Sequence, residues 1–338
     1  MKRLLQVMLF SFVAMSGALA QTPAEFWQGK QVRIVVGFQA GGSSGIYAEA
    51  LGRHMGRYLP GNPTFINQYM PGGGGLIAAN HIASRAAKDG SEIAITSRTA
   101  AVEPLLGNPQ AKFDGRQFNW IGSANIENSI CVANSSTGIA AFADVKQREL
   151  IVGGSGADAI DVIMPRAANT LMGSKFKIVP GYNTSNDVLL AMERGEVSGF
   201  CGVGWTLIKL RKPELLTQKK INILFQMALK KHEDLPNVPL IQDLASNDDD
   251  RRVLEFMLAP QDMGRPFFAP AGVPEDRVKA LRDAFAATLK DPQFLKEAEK
   301  SGLEIQLVTG QDIHALLEKT YATAPNLIER AKALVAQK

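Results

Sequence analysis

The feature that most constrains this chain is a strand, a glycine-rich turn and a helix, written twice in succession near its start. Residues 32–36 form a β-branched run, followed by Gly41-Gly42-Ser43-Ser44-Gly45. Apolar residues then recur at helical spacing, so that Ile46, Ala50, Leu51, Met55 and Leu59 share one face. A second strand over 64–68 runs into Pro71-Gly72-Gly73-Gly74-Gly75 and a small-residue helix over 76–87. Asp89-Gly90 turns the chain into a third strand over 92–96. Strands alternating with long helices require βαβ crossovers, so the expected class is α/β with a mainly parallel sheet.

The pattern restarts in the middle of the chain. Short strands are expected over 130–133, 150–152, 176–179 and 197–200, with helices near 158–172 and 185–194. An apolar strand over 221–226 is expected to carry the chain back to the first unit. Beyond it, Pro274 opens a helix striped by Val278, Leu281, Phe285 and Leu289. Thr309 and Asp312 read as a capping box for a last helix with Ile313, Leu316, Leu317, Leu327, Ile328 and Leu334 inward. The expected division is a discontinuous domain 1, residues 21–127 plus 222–338, and a domain 2 over 128–221.

Residues 1–20 stand apart from this fold. Lys2 and Arg3, an apolar run over 4–13 and Ala18-Leu19-Ala20 read as a secretory signal cleaved after Ala20. The run is too short for a membrane span, which needs roughly 18 apolar residues. Without Lys2 and Arg3 the net charge falls from +4 to +2, and no basic stripe is interleaved with aromatics. Nucleic acid is therefore not an expected partner. An exported chain can pair Cys131 with Cys201, although two buried free thiols are the favoured reading. His54, His81, His232 and His314 are scattered without ligand spacing, so no metal or other cofactor is expected.

In a parallel sheet both glycine loops lie at the strands' carboxyl ends, where ligands of open α/β sheets bind. Exposed loop N–H groups beside a helix N-terminus form an anion site; tight turns alone are the plain alternative. Neither loop carries the P-loop Lys or a dinucleotide fingerprint. A carboxylate suits Ser43, Ser44 and the loop amides. Arg98, just past the third strand, either grips a second carboxylate or lies on the surface. Asp158 and Asp161 read as helix-start acids rather than a catalytic pair. Trp205 is either a ligand platform or a core residue.

The run VRIVVGFQAGGSSGIYAEALGRHM resembles the opening of the Bug-type receptors, the solute-binding proteins of tripartite tricarboxylate transporters. NQYMPGGGGLIAANHIASRAAKDGSEIAIT is similar to that family's second loop segment. VPGYNTSNDVLLAMERGEVSGFCG and PFFAPAGVPEDRVKALRDAFAATLKDPQF resemble its middle and returning segments. The resemblance implies a two-domain periplasmic solute-binding fold, type II-like, with the ligand cleft between domains and no covalent chemistry. It implies a grip by Phe38, Gly41, Gly42, Ser43 and Ser44 and by Pro71, Gly72, Gly73 and Gly74. Ser155, Gly156, Ala157, Asp158, Tyr182, Asn183 and Thr184 are the implied middle-domain contacts. Ala40 and Gly45 depart from the family's Pro and Asp, which leaves the ligand open among dicarboxylates, tricarboxylates, aromatic acids and amino acids. The implied partners are that carboxylate and the membrane transporter subunits, with a monomeric receptor. The rival readings are an exported hydrolase or transferase using the same cleft, and a receptor for a sensor kinase.

Overall fold

The computed structural model describes residues 21–156, 159–182 and 184–336. The expected signal peptide and its cleavage site lie outside the described residues, as do Ala157, Asp158 and Asn183. In chain order the strands are β1 (Gln31–Val36), β2 (Thr64–Tyr69), β3 (Glu92–Ile95), β4 (Asn119–Ser123), β5 (Ser129–Asn134), β6 (Leu150–Gly153), β7 (Phe176–Val179), β8 (Gly199–Gly204), β9 (Ile221–Met227), β10 (Pro266–Ala269) and β11 (Val308–Thr309). They form two sheets, one ordered β11-β4-β10-β3-β1-β2 and the other β7-β6-β8-β5-β9.

The first sheet follows from the βα repeats at one end only. β2, β1 and β3 are parallel, but β10 enters antiparallel between β3 and β4. Likewise β7, β6 and β8 are parallel while β5 runs antiparallel to both β8 and β9. The sheets are therefore mixed rather than mainly parallel. A strand that arrives from the other sheet needs no βαβ crossover and is free to enter in either sense.

Both faces of the first sheet are covered. Val32, Ile34 and Val36 pack beneath the helices Ser43–Met55 and Glu275–Thr288, whereas Val35 joins Ala94, Trp120 and Phe268 under Leu76–Ser84 and Gly310–Tyr321. Successive β1 side chains thus point to opposite cores, the two-residue period of a strand. In the second sheet Cys131 and Ala133 face one core while Ile130 and Val132 face the other.

The expected domain boundaries need correction. β9 does not return to the first unit; it pairs with β5. Val253, Leu254, Phe256 and Leu258 from Asp248–Leu258, and Leu327, Ile328, Ala331 and Leu334 from Pro325–Ala336, also join the second core. The capping box of Thr309 and Asp312 forms, but the expected single last helix is two, Gly310–Tyr321 and Pro325–Ala336. Pro325 lacks the N–H that would continue the first and suits the first turn of the second. Among the described residues the chain consequently passes between the sheets three times, near residues 124–128, 259–265 and 322–324.

The favoured free-thiol reading is also corrected. Cys131 and Cys201 face each other across β5 and β8 and are joined as a disulfide, both fully buried. Their pairing follows from antiparallel register, which places two residues 70 positions apart side by side.

Candidate functional site

A cleft of about 940 Å³ opens between the two sheets. Its first wall is the end of β1 and the start of the next helix, where Phe38, Gly42, Ser43 and Ser44 line it. Gly42 is the N-cap of that helix, and Ser43 is its first residue. The end of β3 contributes Ser97, Arg98 and Thr99, and the far wall carries Ser155, Asp161 and Trp205. Two of the chain crossings also contribute, with Asn125, Glu127, Asn128 and Ser129 from one and Gln261, Gly264 and Arg265 from the other. Arg211, Glu299, Lys300 and Glu304 add further charged lining.

The second glycine loop sits elsewhere. Pro71, Gly72, Gly73 and Gly74 do not line the cleft. Gly72 to Gly75 take φ values of 132°, 56°, 62° and 94°, four consecutive positions in a region that favours glycine. A Cβ on Gly37 would come within 2.9 Å of the Gly75 Cα. The second loop therefore packs against the strand end that carries the first. Glycine is needed there for close backbone approach.

The remaining expected contacts divide similarly. Gly41 has φ 80° and is exposed at the start of the first loop, outside the cleft lining. Gly156 is exposed. Tyr182 packs over Gly153, and Thr184 caps the helix Ser185–Glu193 through a bond from the Asp187 N–H. Neither lines the cleft. Asp161 accepts from the Ser155 N–H and Oγ, both at 3.0 Å, and burial pushes its carboxyl above the usual range despite those bonds. Trp205 is a wall residue whose indole N–H is spent on Asp234 at 2.9 Å.

At the centre two guanidinium groups share one carboxylate. Arg98 and Arg265 each approach Glu127 Oε2 at 3.4 Å. Arg265 also donates to the Gly264 carbonyl at 2.7 Å and to Ser43 Oγ at 3.2 Å, and lies 5.4 Å over the Tyr47 ring. Burial pushes Arg98 below its ordinary value, with Glu127 opposing that shift and Arg265 adding to it. Burial likewise raises the Tyr47 hydroxyl to about 12, and it donates to the Glu304 carbonyl at 2.7 Å. Around this centre Asn125 Oδ1, Asn128 Oδ1, both amide atoms of Gln261 and Arg265 Nε are buried without a protein partner. Polar atoms left so are costly and mark where a polar solute gains most.

Arg265, Glu127, Asn125, Asn128 and Gln261 have no motif in the sequence. They lie on chain crossings, where neither periodicity nor glycine punctuation marks them. Arg265 alone had a cue, standing immediately before the apolar run that becomes β10. Among the described residues no group of three or more His, Cys, Asp or Glu is placed to hold a metal ion, and no helix is long and apolar enough to cross a membrane.

A family profile described as "Tripartite tricarboxylate transporter family receptor" matches residues 54–333. A Cupriavidus necator protein, described as a UPF0065 protein in the gbd 5′ region, is 22% identical, with 94% of this chain and 92% of that protein aligned. A solved TctC solute-binding protein from Polaromonas superposes with a TM-score of 0.69 at 18% identity, covering 89% of this chain and 98% of that one. An R. palustris protein solved with adipate gives 0.61 at 21% identity, covering 90% and 98%. The superpositions show a shared fold, and the profile spans most of both sheets. This chain belongs to the tripartite tricarboxylate transporter receptor family.

Proposed function

We propose that this protein captures a small carboxylate in the cleft between its two sheets, in the periplasm, and delivers it to a membrane transporter without covalent chemistry. The observation that carries this reading is the convergence of Arg98 and Arg265 with Ser43 at the cleft centre, where two positive groups meet one carboxylate. That surplus charge favours an anion, and the planar guanidinium fork suits a carboxylate. Ser44 and the start of the following helix add donors on the same side. Phe38 and Trp205 supply apolar wall. The adipate held by the R. palustris relative agrees with a carboxylate ligand. A hydrolase reading gains nothing from Asp161, whose oxygens are both bonded to Ser155.

Isothermal calorimetry against adipate, succinate, malate, citrate, benzoate and glutamate tests the reading. At least one should bind, and Arg265→Ala should weaken that binding by about 1.5–3 kcal/mol, the scale of a hydrogen bond to a charged group. Circular dichroism confirms that the variant is folded. Binding of none of the six, or equal binding by the folded variant, would overturn the assignment.

A further inference from the structure

We infer that Glu127 is a built-in competitor for the ligand's carboxylate, holding the arginine pair until solute displaces it and limiting the anionic charge this locus accepts. The inference rests on the carboxylate reading above.

Three observations carry it. First, the pairing is loose: both arginines reach the same oxygen, Glu127 Oε2, at 3.4 Å, longer than the 2.7–2.9 Å of a strong charge-assisted bond. Second, Arg265 does not depend on Glu127 for its posture. The Gly264 carbonyl, Ser43 Oγ and the Tyr47 ring hold it. Third, Glu127 lies on a chain crossing. Its N–H donates to the Gln261 carbonyl at 2.9 Å on the neighbouring crossing, and a Cβ on Gly204 of β8 would stand 3.3 Å from Glu127 Oε1.

An incoming carboxylate meets two cations and one anion of its own sign. To take the guanidinium donors it must displace the Glu127 oxygen or bind against its charge. Each route costs affinity, so removing the Glu127 charge should strengthen binding. If Glu127 instead served to position the arginines, its removal should weaken binding. The two roles differ in the sign of the effect.

Calorimetry on Glu127→Gln with adipate and hexanoate reads that sign. Two charges several ångströms apart at this partly buried site interact strongly enough for about a tenfold change. We expect Glu127→Gln to bind both probes more tightly, adipate gaining more than hexanoate because it carries the second charge. Glu127→Asp, which withdraws the carboxylate without removing it, should fall between wild type and Glu127→Gln. It also serves as the readout should Glu127→Gln fail to fold. Raised ionic strength should shrink the gain. Unchanged or weaker binding in a folded variant, with wild-type binding intact, overturns the competitor role alone. If neither wild type nor variant binds either probe, and the wider panel also fails, the carboxylate reading falls and takes this inference with it.

Discussion

Asp161 is a buried acid in the cleft wall, and its behaviour with pH should be the reverse of an ordinary ion-paired carboxylate. Its ordinary value is 3.8, and burial raises it in the folded chain. Between those two values the folded protein holds a proton that the unfolded chain has lost. Its contribution therefore favours folding as pH falls through the raised value, and the ionised form costs stability above it. Asp161→Asn should gain on wild type as pH rises from about 4 and then level off. Urea midpoints of both proteins across that interval measure this, and a pH-independent difference would show that the group titrates normally. Residue identity left this hidden, because Asp161 reads equally as a helix-start acid on a surface. The glycines show the same limit. Gly42 has φ −73°, an ordinary backbone, whereas Gly75 has φ 94° and would drive a Cβ to 3.0 Å from the Ser97 nitrogen. Identical letters in two neighbouring loops thus serve a lined cleft in one case and a backbone contact in the other.

At the scale of elements, β5 and β8 are tied across the middle of the second sheet by Cys131 and Cys201. Closing a loop of 70 residues removes unfolded-chain entropy worth about 4 kcal/mol. The double Cys131→Ala, Cys201→Ala variant should lose about that much stability while keeping its fold, as read by denaturant titration. A loss below about 1 kcal/mol would mean that strand pairing alone fixes this central pair. The elements themselves were largely legible. β1, β2 and β3 with their intervening helices, the stripe of Glu275–Thr288 and the Thr309–Asp312 box all follow from local spacing. Which sheet a strand joins is not a local property. The apolar run of β9 suits either core, and only its pairing with β5 decides.

Across the whole molecule, the crossings matter most. Two of them carry Glu127 and Arg265, so two of the residues at the centre of the cleft stand on the segments about which the two halves would turn. Among its lining residues Thr206 donates to the Glu304 carboxylate, joining the second half to the first. Ligand that draws the arginines and the far wall together should close the cleft, as in other hinge receptors. Small-angle scattering should show a smaller radius of gyration with saturating adipate than without; equal values would argue for a preformed, rigid cleft. The third crossing, between Gly310–Tyr321 and Pro325–Ala336, is not legible in the sequence because one apolar stripe runs through both helices. It has a practical consequence. Phe26 and Trp27, near the start of the described chain, are anchored in the first core, and Leu334, near its end, in the second. The described residues therefore start on one lobe and finish on the other. Two fluorophores attached beside Phe26 and Leu334 would ride on opposite jaws, and their energy transfer would report solute capture without a single insertion inside the fold.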